Sequence, residues 1–450
     1  MLLGAAAALA DDADWIGVED ATAQHVQVPV FGGRVALYRA GKRDAEPVIL
    51  VHGVGTAAAR DWVHVIPALA ADYDVYALDL PGFGRSDKGN HLYSPSNYVR
   101  VLDALFGERL KRPVNLVGHS MGGVVALAYA SAYPDRVRRL IVADVAGVLH
   151  RSVYSEFLGR AMAERAVGEK SPWLDSVLQF IRLQAESLPE RGIMSLEQPL
   201  VRQRFLRGDP STIASLALVE HDLSRGLRAI KVPTLVVWSS DDKVAPLRTG
   251  QVLASVIPGA RLVVIDRAGH APHVGQPERF NALLRDELRG KVEAKPYALP
   301  LAEPAAGRRA RCMSERGRRF TGDYEEIVLE GCAEVEISDA RVGRMAVARS
   351  QVRIVNSHVR DGVEAHGSRL EFTGGSLGGD PPLFLDDTSI DAAGLRLLPR
   401  GRVVAANYGD ETVTLRFSVS QIARGQGKPR YAHQILRLVD DQSWTPRGAR

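Results

Sequence analysis

The sequence predicts an α/β chain built on a mostly parallel sheet, followed by an all-β part resembling a right-handed parallel β-helix. Three observations predict this. Over residues 25–292, short runs rich in β-branched residues alternate with amphipathic segments. A Gly-x-Ser-x-Gly pentapeptide, Gly118–Gly122, lies between one apolar run and one helix-like run. Beyond a proline-spaced stretch, apolar residues recur at intervals of 17 or 18 positions. Continuous apolar strands alternating with helices imply a sheet covered on both faces, and a short fixed period implies stacked coils.

With 450 residues the chain is long enough for two or three domains, each burying its own core. Met1–Ala10 is apolar and small and ends Ala8-Leu9-Ala10 before Asp11-Asp12. Two readings stand: the end of an export signal whose basic segment is missing, or an apolar tail. Localisation divides with them, periplasmic or secreted on the first and cytoplasmic on the second. His25–Val30 and Arg34–Arg39 flank Gly32-Gly33 and read as a hairpin. Strand-like runs follow at Pro47–Val51, Tyr73–Leu80, Val114–Val117, Arg139–Val145, Pro233–Trp238 and Arg261–Ile265. The alternation breaks between Val148 and Arg228, where only helical patterns appear, at Val153–Ala166, Trp173–Leu188, Ser195–Leu206 and Ser211–Leu223. Such an insertion is expected to cap the strand ends and exclude water.

Pro296, Pro300 and Pro304 mark an extended linker over 293–311. Then Val335, Val352, Leu370 and Thr388 fall into one column, Ile337, Ile354, Phe372 and Ile390 into a second, and Val342, Val359, Leu377 and Leu395 into a third. Phe320, seventeen residues before Ile337, would begin a further coil. A strand-like run at Thr412–Val419 and a helix-like run at Tyr431–Val439 are expected to cap the stack. The expected domains are a tail (1–24), an α/β core (25–147 and 229–292), a helical cap (148–228), a linker (293–311) and a solenoid-like domain (312–450).

The pentapeptide carries chemistry because of where it stands. A nucleophilic serine has to project from a sharp strand-to-helix turn, which demands glycine on either side. Gly118 and Gly122 meet that demand, so Ser120 is the candidate nucleophile. A serine hydroxyl needs a base, and the base needs a carboxylate to hold its tautomer. His270 follows the last strand-like run of the α/β part, and Asp242 follows Pro233–Trp238. Asp241 and Asp144 remain alternative acids. His273 is read as a loop residue beside the base, and His119 as packing.

These motifs resemble the α/β-hydrolase superfamily, in its capped esterase, lipase and carbon–carbon hydrolase group. The matching segments are His52-Gly53-Val54-Gly55, Asp79–Ser86, Gly118–Gly123, Asp242–Pro246 and Ala268–His273, in the family's order, within about three-fifths of the chain. The resemblance implies a Ser120, Asp242, His270 triad, with the backbone N–H groups of Val54 and Met121 as the oxyanion hole. His52, Asp79 and Arg85 would brace loops. Ser239 departs from the family, which usually has Gly there, so the acid loop is expected to run somewhat differently. No Asp replaces Ser120, which disfavours dehalogenation. The implied activity is carboxylic ester hydrolysis through an acyl-enzyme. The alternatives are carbon–carbon hydrolysis or acyl transfer on the same residues, and, in a different class, a non-catalytic binding protein that uses the solenoid.

A net charge of +4 opposes a general nucleic-acid role. The local excess at Arg308, Arg309, Arg311, Arg316, Arg318 and Arg319 reads as a solvated linker or a patch for anionic polymers or lipid headgroups. The sequence shows no metal-ligand cluster, cofactor loop or run long enough to span a membrane. The expected partners are a small-molecule or lipid-like ester, with a polymer or protein partner for the solenoid left open. The two cysteines, Cys312 and Cys332, fit either a disulfide or buried thiols.

Overall fold

The computed structural model describes residues 15–107, 109–155, 157–158, 195–303, 307–406, 413–425 and 427–438. Met1–Ala10, Trp173–Leu188 and most of Val153–Ala166 lie outside them. The chain divides into two compact units. The first comprises residues up to His221 together with Ala229–Gly250 and Arg261–Lys295. The second comprises Asp222–Arg228, Gln251–Ala260 and Pro296 onward.

The first unit is built on one eight-stranded sheet. Its strands are β1 (Thr22–Val28), β2 (Gly33–Gly41), β3 (Pro47–Val51), β4 (Asp74–Leu78), β5 (Val114–His119), β6 (Val137–Ala143), β7 (Thr234–Ser239) and β8 (Arg261–Ile265). Their order is β1-β2-β4-β3-β5-β6-β7-β8. The β1–β2 hairpin is antiparallel, and β2 joins β4 antiparallel. All pairings from β4 through β8 are parallel. Every residue of β3, β4, β5 and β7 is buried, as a sheet covered on both faces requires.

The helices, in chain order, are α1 (Ile66–Ala70), α2 (Pro95–Leu102), α3 (Met121–Ala132), α4 (Pro199–Leu206), α5 (Pro210–Val219), α6 (Ser224–Ala229), α7 (Leu247–Val256), α8 (Pro272–Gly275) and α9 (Pro277–Leu288). Several start where the chemistry demands. Ser94 caps α2 by accepting the Asn97 N–H, and Asp209 caps α5 by accepting the Thr212 N–H at 2.7 Å, each with Pro at the first turn. The described residues between β6 and β7 form helices and connecting loops, with no strand among them. No helix among the described residues is long and apolar enough to cross a membrane.

The second unit contains an all-β region of parallel strands around one apolar core. It opens with β9 (Arg309–Met313), β10 (Arg319–Glu330) and β11 (Val335–Ala348). Three short strands per repeat follow: β12 (Gln351–Val355), β13 (His358–Val359) and β14 (Val363–His366), then β15 (Arg369–Thr373), β16 (Ser376–Gly379) and β17 (Leu383–Asp386), then β18 (Ser389–Ala393), β19 (Arg396–Pro399) and β20 (Val404–Ala406). It closes with β21 (Val413–Ile422) and β22 (Arg430–Leu438).

The register agrees with the expected columns in the first three repeats and departs in the fourth. Phe320 pairs with Ile337, Val335 with Val352, Val352 with Leu370, Ile354 with Phe372, and Val359 with Leu377. Leu370 then pairs with Ile390 rather than Thr388, Phe372 with Ala392 rather than Ile390, and Leu377 with Leu397 rather than Leu395. Between β16 and β17 lie Asp380, Pro381 and Pro382, and this turn lengthens the repeat from 18 to 20 residues: Val359 pairs with Leu377, whereas Val363 pairs with Leu383. Thr388 belongs to a different column, a buried ladder of hydroxyls. Ser350 Oγ accepts the Cys332 N–H (2.9 Å), Ser368 Oγ accepts the Ser350 N–H (3.1 Å), and Thr388 Oγ1 accepts the Ser368 N–H (3.4 Å). Each hydroxyl donates to the carbonyl two residues before it, so backbone groups at the turn stay paired.

Three further expectations are corrected. Tyr431–Leu438, the described part of the expected helix Tyr431–Val439, is not helical: β22 runs antiparallel along β21, pairing Leu415 with Leu436 and Val413 with Leu438. The pairing with β21 makes this segment a strand and covers an otherwise open edge. The linker expected over 293–311 is docked in part. Asn356 Nδ2 donates to the Tyr297 carbonyl (2.8 Å), the Leu299 N–H to Asn356 Oδ1 (2.9 Å) and His358 Nε2 to the Leu299 carbonyl (2.7 Å), and β9 already begins at Arg309. The arginine excess is largely paired: Arg309 with Glu325, Arg316 with Glu334, Arg318 with Glu315, and Arg308 over the Tyr324 ring. Cys312 and Cys332 form a disulfide with Cα atoms 6.4 Å apart.

Candidate active site

The carboxyl ends of β3, β5, β6, β7 and β8 deliver the expected residues to one place. Ser120 follows β5 directly and has φ 52° and ψ −119°, a conformation that non-glycine residues rarely adopt. The turn exists because its flanks lack side chains. A Cβ on Gly118 would come within 2.4 Å of the Gly122 carbonyl oxygen, and one on Gly122 within 2.2 Å of the Val51 carbonyl oxygen. The Ser120 N–H donates to the Ala143 carbonyl at 3.0 Å, which ties the turn to β6.

The structure brings Ser120, His270 and Asp242 together. Ser120 Oγ lies 3.1 Å from His270 Nε2, and His270 Nδ1 lies 2.8 Å from Asp242 Oδ2. The Asp242 side chain has no solvent exposure, and that of His270 has 17 %. Asp242 Oδ1 accepts the N–H groups of Val244 (2.7 Å) and Ala245 (3.1 Å). Burial by itself would raise the Asp242 carboxyl. The His270 charge and hydrogen bond, with the Val244 N–H, outweigh burial and leave it below its ordinary value.

The other two candidate acids are placed elsewhere. Asp241 Oδ1 accepts from Ser239 Oγ (2.7 Å) and from the Gly269 N–H (3.0 Å), so it holds the turn that carries His270. Ser239 Oγ also accepts the Ala268 N–H at 2.9 Å. The serine that departs from the family pattern is thus a clamp between the end of β7 and the histidine loop. Asp144 is wholly buried at the end of β6, with Oδ1 accepting the Ser239 N–H at 3.0 Å. Burial and the charge of Asp242 push its carboxyl well above the ordinary value.

Val54 and Met121 flank the nucleophile from two sides. Gly53 packs so tightly that an added Cβ would lie 2.8 Å from Ser120 Cβ, which brings the Val54 loop against the serine. Met121 opens α3, so its N–H is among those a helix leaves without an internal acceptor, at the positive end of the helix dipole. His52 braces this loop: Nδ1 donates to the Gly53 carbonyl (2.6 Å), and Nε2 accepts the Leu80 N–H (2.9 Å). Asp79 accepts from Tyr38 Oη, the Ala59 N–H and the Arg85 N–H, at 2.8–2.9 Å. Sequence reasoning missed Tyr154. It lies in the insertion between β6 and β7, and the Asp242 charge adds to burial in raising its phenol. No motif marks it.

A hydroxyl, an imidazole and a buried carboxylate in series, at the carboxyl ends of a mostly parallel sheet, can move a proton off the hydroxyl, which is the chemistry of a hydrolase. The chain belongs to the α/β hydrolase fold family, which matches residues 46–277. Among its relatives is a pimeloyl-[acyl-carrier protein] methyl ester esterase of Neisseria meningitidis serogroup C, 33 % identical over 248 residues, 54 % of this chain and 93 % of that protein. Another is a 2-hydroxy-6-oxononadienedioate/2-hydroxy-6-oxononatrienedioate hydrolase of Cupriavidus pinatubonensis, 30 % identical over 253 residues, 54 % of this chain and 87 % of that protein. A solved thermophilic esterase from Thermogutta terrifontis is 28 % identical, covers 60 % of this chain and 98 % of its own, and has a TM-score of 0.46. Homologues thus include both esterases and carbon–carbon hydrolases.

Proposed function

We propose that the protein is a serine hydrolase that cleaves a carboxylic ester through Ser120, His270 and Asp242. The observation that carries this is the continuous chain from Ser120 Oγ through His270 to the buried Asp242, at 3.1 and 2.8 Å. Ser120 Oγ attacks the acyl carbon while its proton passes to His270 Nε2. The N–H groups of Val54 and Met121 receive the oxyanion. Collapse breaks the ester bond, and the leaving alkoxide takes the proton from His270. Water, deprotonated by His270, then releases the acid and restores Ser120. Asp242 stabilises the imidazolium in both halves. The residues 148–228 act as a cap over a core formed by 25–147 and 229–292, and Tyr154 supports that reading by its proximity to Asp242.

Labelling with a fluorophosphonate probe tests this. The wild type should label and turn over short p-nitrophenyl esters, and Ser120→Ala should do neither. A wild type that does neither overturns it. Relatives at 30 % identity support a second reading, carbon–carbon hydrolysis on the same residues. That reading predicts slow ester turnover and fast cleavage of a vinylogous diketone.

For residues 312–450 we propose a right-handed parallel β-solenoid. The 17-, 18- and 20-residue registers support it, and a crystal structure of the full chain with the opposite hand would refute it. The Cys312–Cys332 disulfide supports an oxidising compartment, periplasmic or extracellular. Fractionation that finds the protein reduced in the cytosol would refute that.

A further inference from the structure

A second group of side chains converges next to the nucleophile, and the reaction above leaves it unused. Asp61 stands on the short 3₁₀ helix Ala58–Trp62, His119 is the last residue of β5, and His273 lies in α8. One ligand-capable atom from each lies within 4.8 Å of the other two. His119 is 5 % exposed and His273 is wholly buried. Among the described residues, His119 Nδ1 and both ring nitrogens of His273 have no hydrogen-bond partner. An unmet buried polar atom carries the full penalty of its lost hydration. One ligand could satisfy His119 Nδ1 and one His273 nitrogen together beside the Asp61 carboxylate.

The hydrogen bonding around His119 says which kind. Its Nε2 donates to the His270 carbonyl oxygen at 2.7 Å. The ring proton therefore sits on Nε2, and Nδ1 presents a lone pair toward the cluster. Metal-binding histidines use this arrangement, with one nitrogen on the ion and the other N–H on a carbonyl. A mixed nitrogen and carboxylate donor set suits zinc, cobalt or nickel; calcium and magnesium prefer oxygen alone.

We propose that Asp61, His119 and His273 form a binding site for one divalent transition-metal ion of the zinc class. Tetrahedral bonds of about 2.0–2.2 Å place ligand atoms roughly 3.4 Å apart, so loading draws together any that stand further apart within the 4.8 Å span. His273 can supply that movement, because its ring is held by stacking on Trp62 (centroids 4.3 Å apart) and not by hydrogen bonds. Loading would also fix His119, and through it the backbone carbonyl of His270.

The full-length protein, stripped with chelator and dialysed, is titrated with Co²⁺ by visible absorption and with Zn²⁺ by calorimetry. Neither readout needs turnover, so failure here is distinct from failure of the ester reading. One Co²⁺ per chain should produce visible ligand-field bands that Zn²⁺ abolishes. Asp61→Asn and His273→Gln should each weaken Zn²⁺ binding by at least about tenfold, while thermal melts show that they still fold. His366→Gln, in a surface cluster with Glu364 and Asp386, should bind like the wild type. Absence of the cobalt bands in the wild type overturns the proposal. So does unchanged affinity in both site variants, or loss of binding in His366→Gln.

Discussion

In the α/β part, parallel strands β3 to β8 are separated in sequence by helices, and single residues at the strand ends form the proposed catalytic chain. In the C-terminal part, parallel strands β11 to β20 are separated by short turns, and equivalent residues recur from one repeat to the next. Ser120, Asp242 and His270 have no substitutes: each is placed by its own loop and its own set of hydrogen bonds. Leu370 is one of a stack, paired with Val352 on one side and Ile390 on the other. The first arrangement concentrates function in a few positions. The second spreads stability over many, and it tolerates a two-residue insertion at Asp380–Pro382 because the later repeats shift register together.

If that contrast holds, substitutions in the two regions should fail in different measurements. The largest effect is expected at the acid. Asp242→Asn should lower ester turnover by about 10⁴-fold with little change in melting, whereas Asp241→Asn, at the carboxylate that holds the histidine loop through Ser239 and Gly269, should lower it by about tenfold. Equal losses would show that the two carboxylates share the role. Next come the C-terminal strands. Leu370→Ala, at a wholly buried position, should destabilise this part by about 3 kcal/mol in urea unfolding and leave fluorophosphonate labelling intact. Loss of labelling in step with unfolding would break the contrast.

Removing the Cys312–Cys332 bridge, which joins residues 20 apart, as Cys312→Ser with Cys332→Ser should also cost about 3 kcal/mol, confined to the same transition. The smallest effect is expected at Asp144. An acid whose pKa is raised on folding holds its proton more tightly in the folded chain. Its contribution therefore favours folding at low pH and fades as pH rises above the unfolded value, about 4. Above that pH, Asp144 must either keep its proton or bury a charge beside Asp242. Asp144→Asn should thus add about 1–2 kcal/mol of stability at pH 8 and little at pH 3, read from urea unfolding at both pH values. A gain at pH 3 alone would reverse the assignment.

Much of this was legible beforehand for a physical reason. A strand-to-helix turn with a nucleophile tolerates so few side chains that Gly118 and Gly122 advertise it, and stacked coils repeat their apolar positions because each coil buries the same slot. What escaped was anything set by distance in space. The fourth repeat slipped because a longer turn changes register without changing composition. Tyr431–Leu438 has no strong period of its own, and only the open edge of β21 makes it a strand. Ser239 looked like a departure from pattern and proved to be a clamp on the histidine loop.

The sequence by itself determined the parallel α/β sheet, the serine turn and the repeating β part, because each follows from local sterics or from periodic burial. Tertiary structure alone decided which of three aspartates faces His270, how two cysteines pair, and that Asp61, His119 and His273 meet. Those outcomes depend on where separate strand ends converge, and nothing in the local chain encodes that distance.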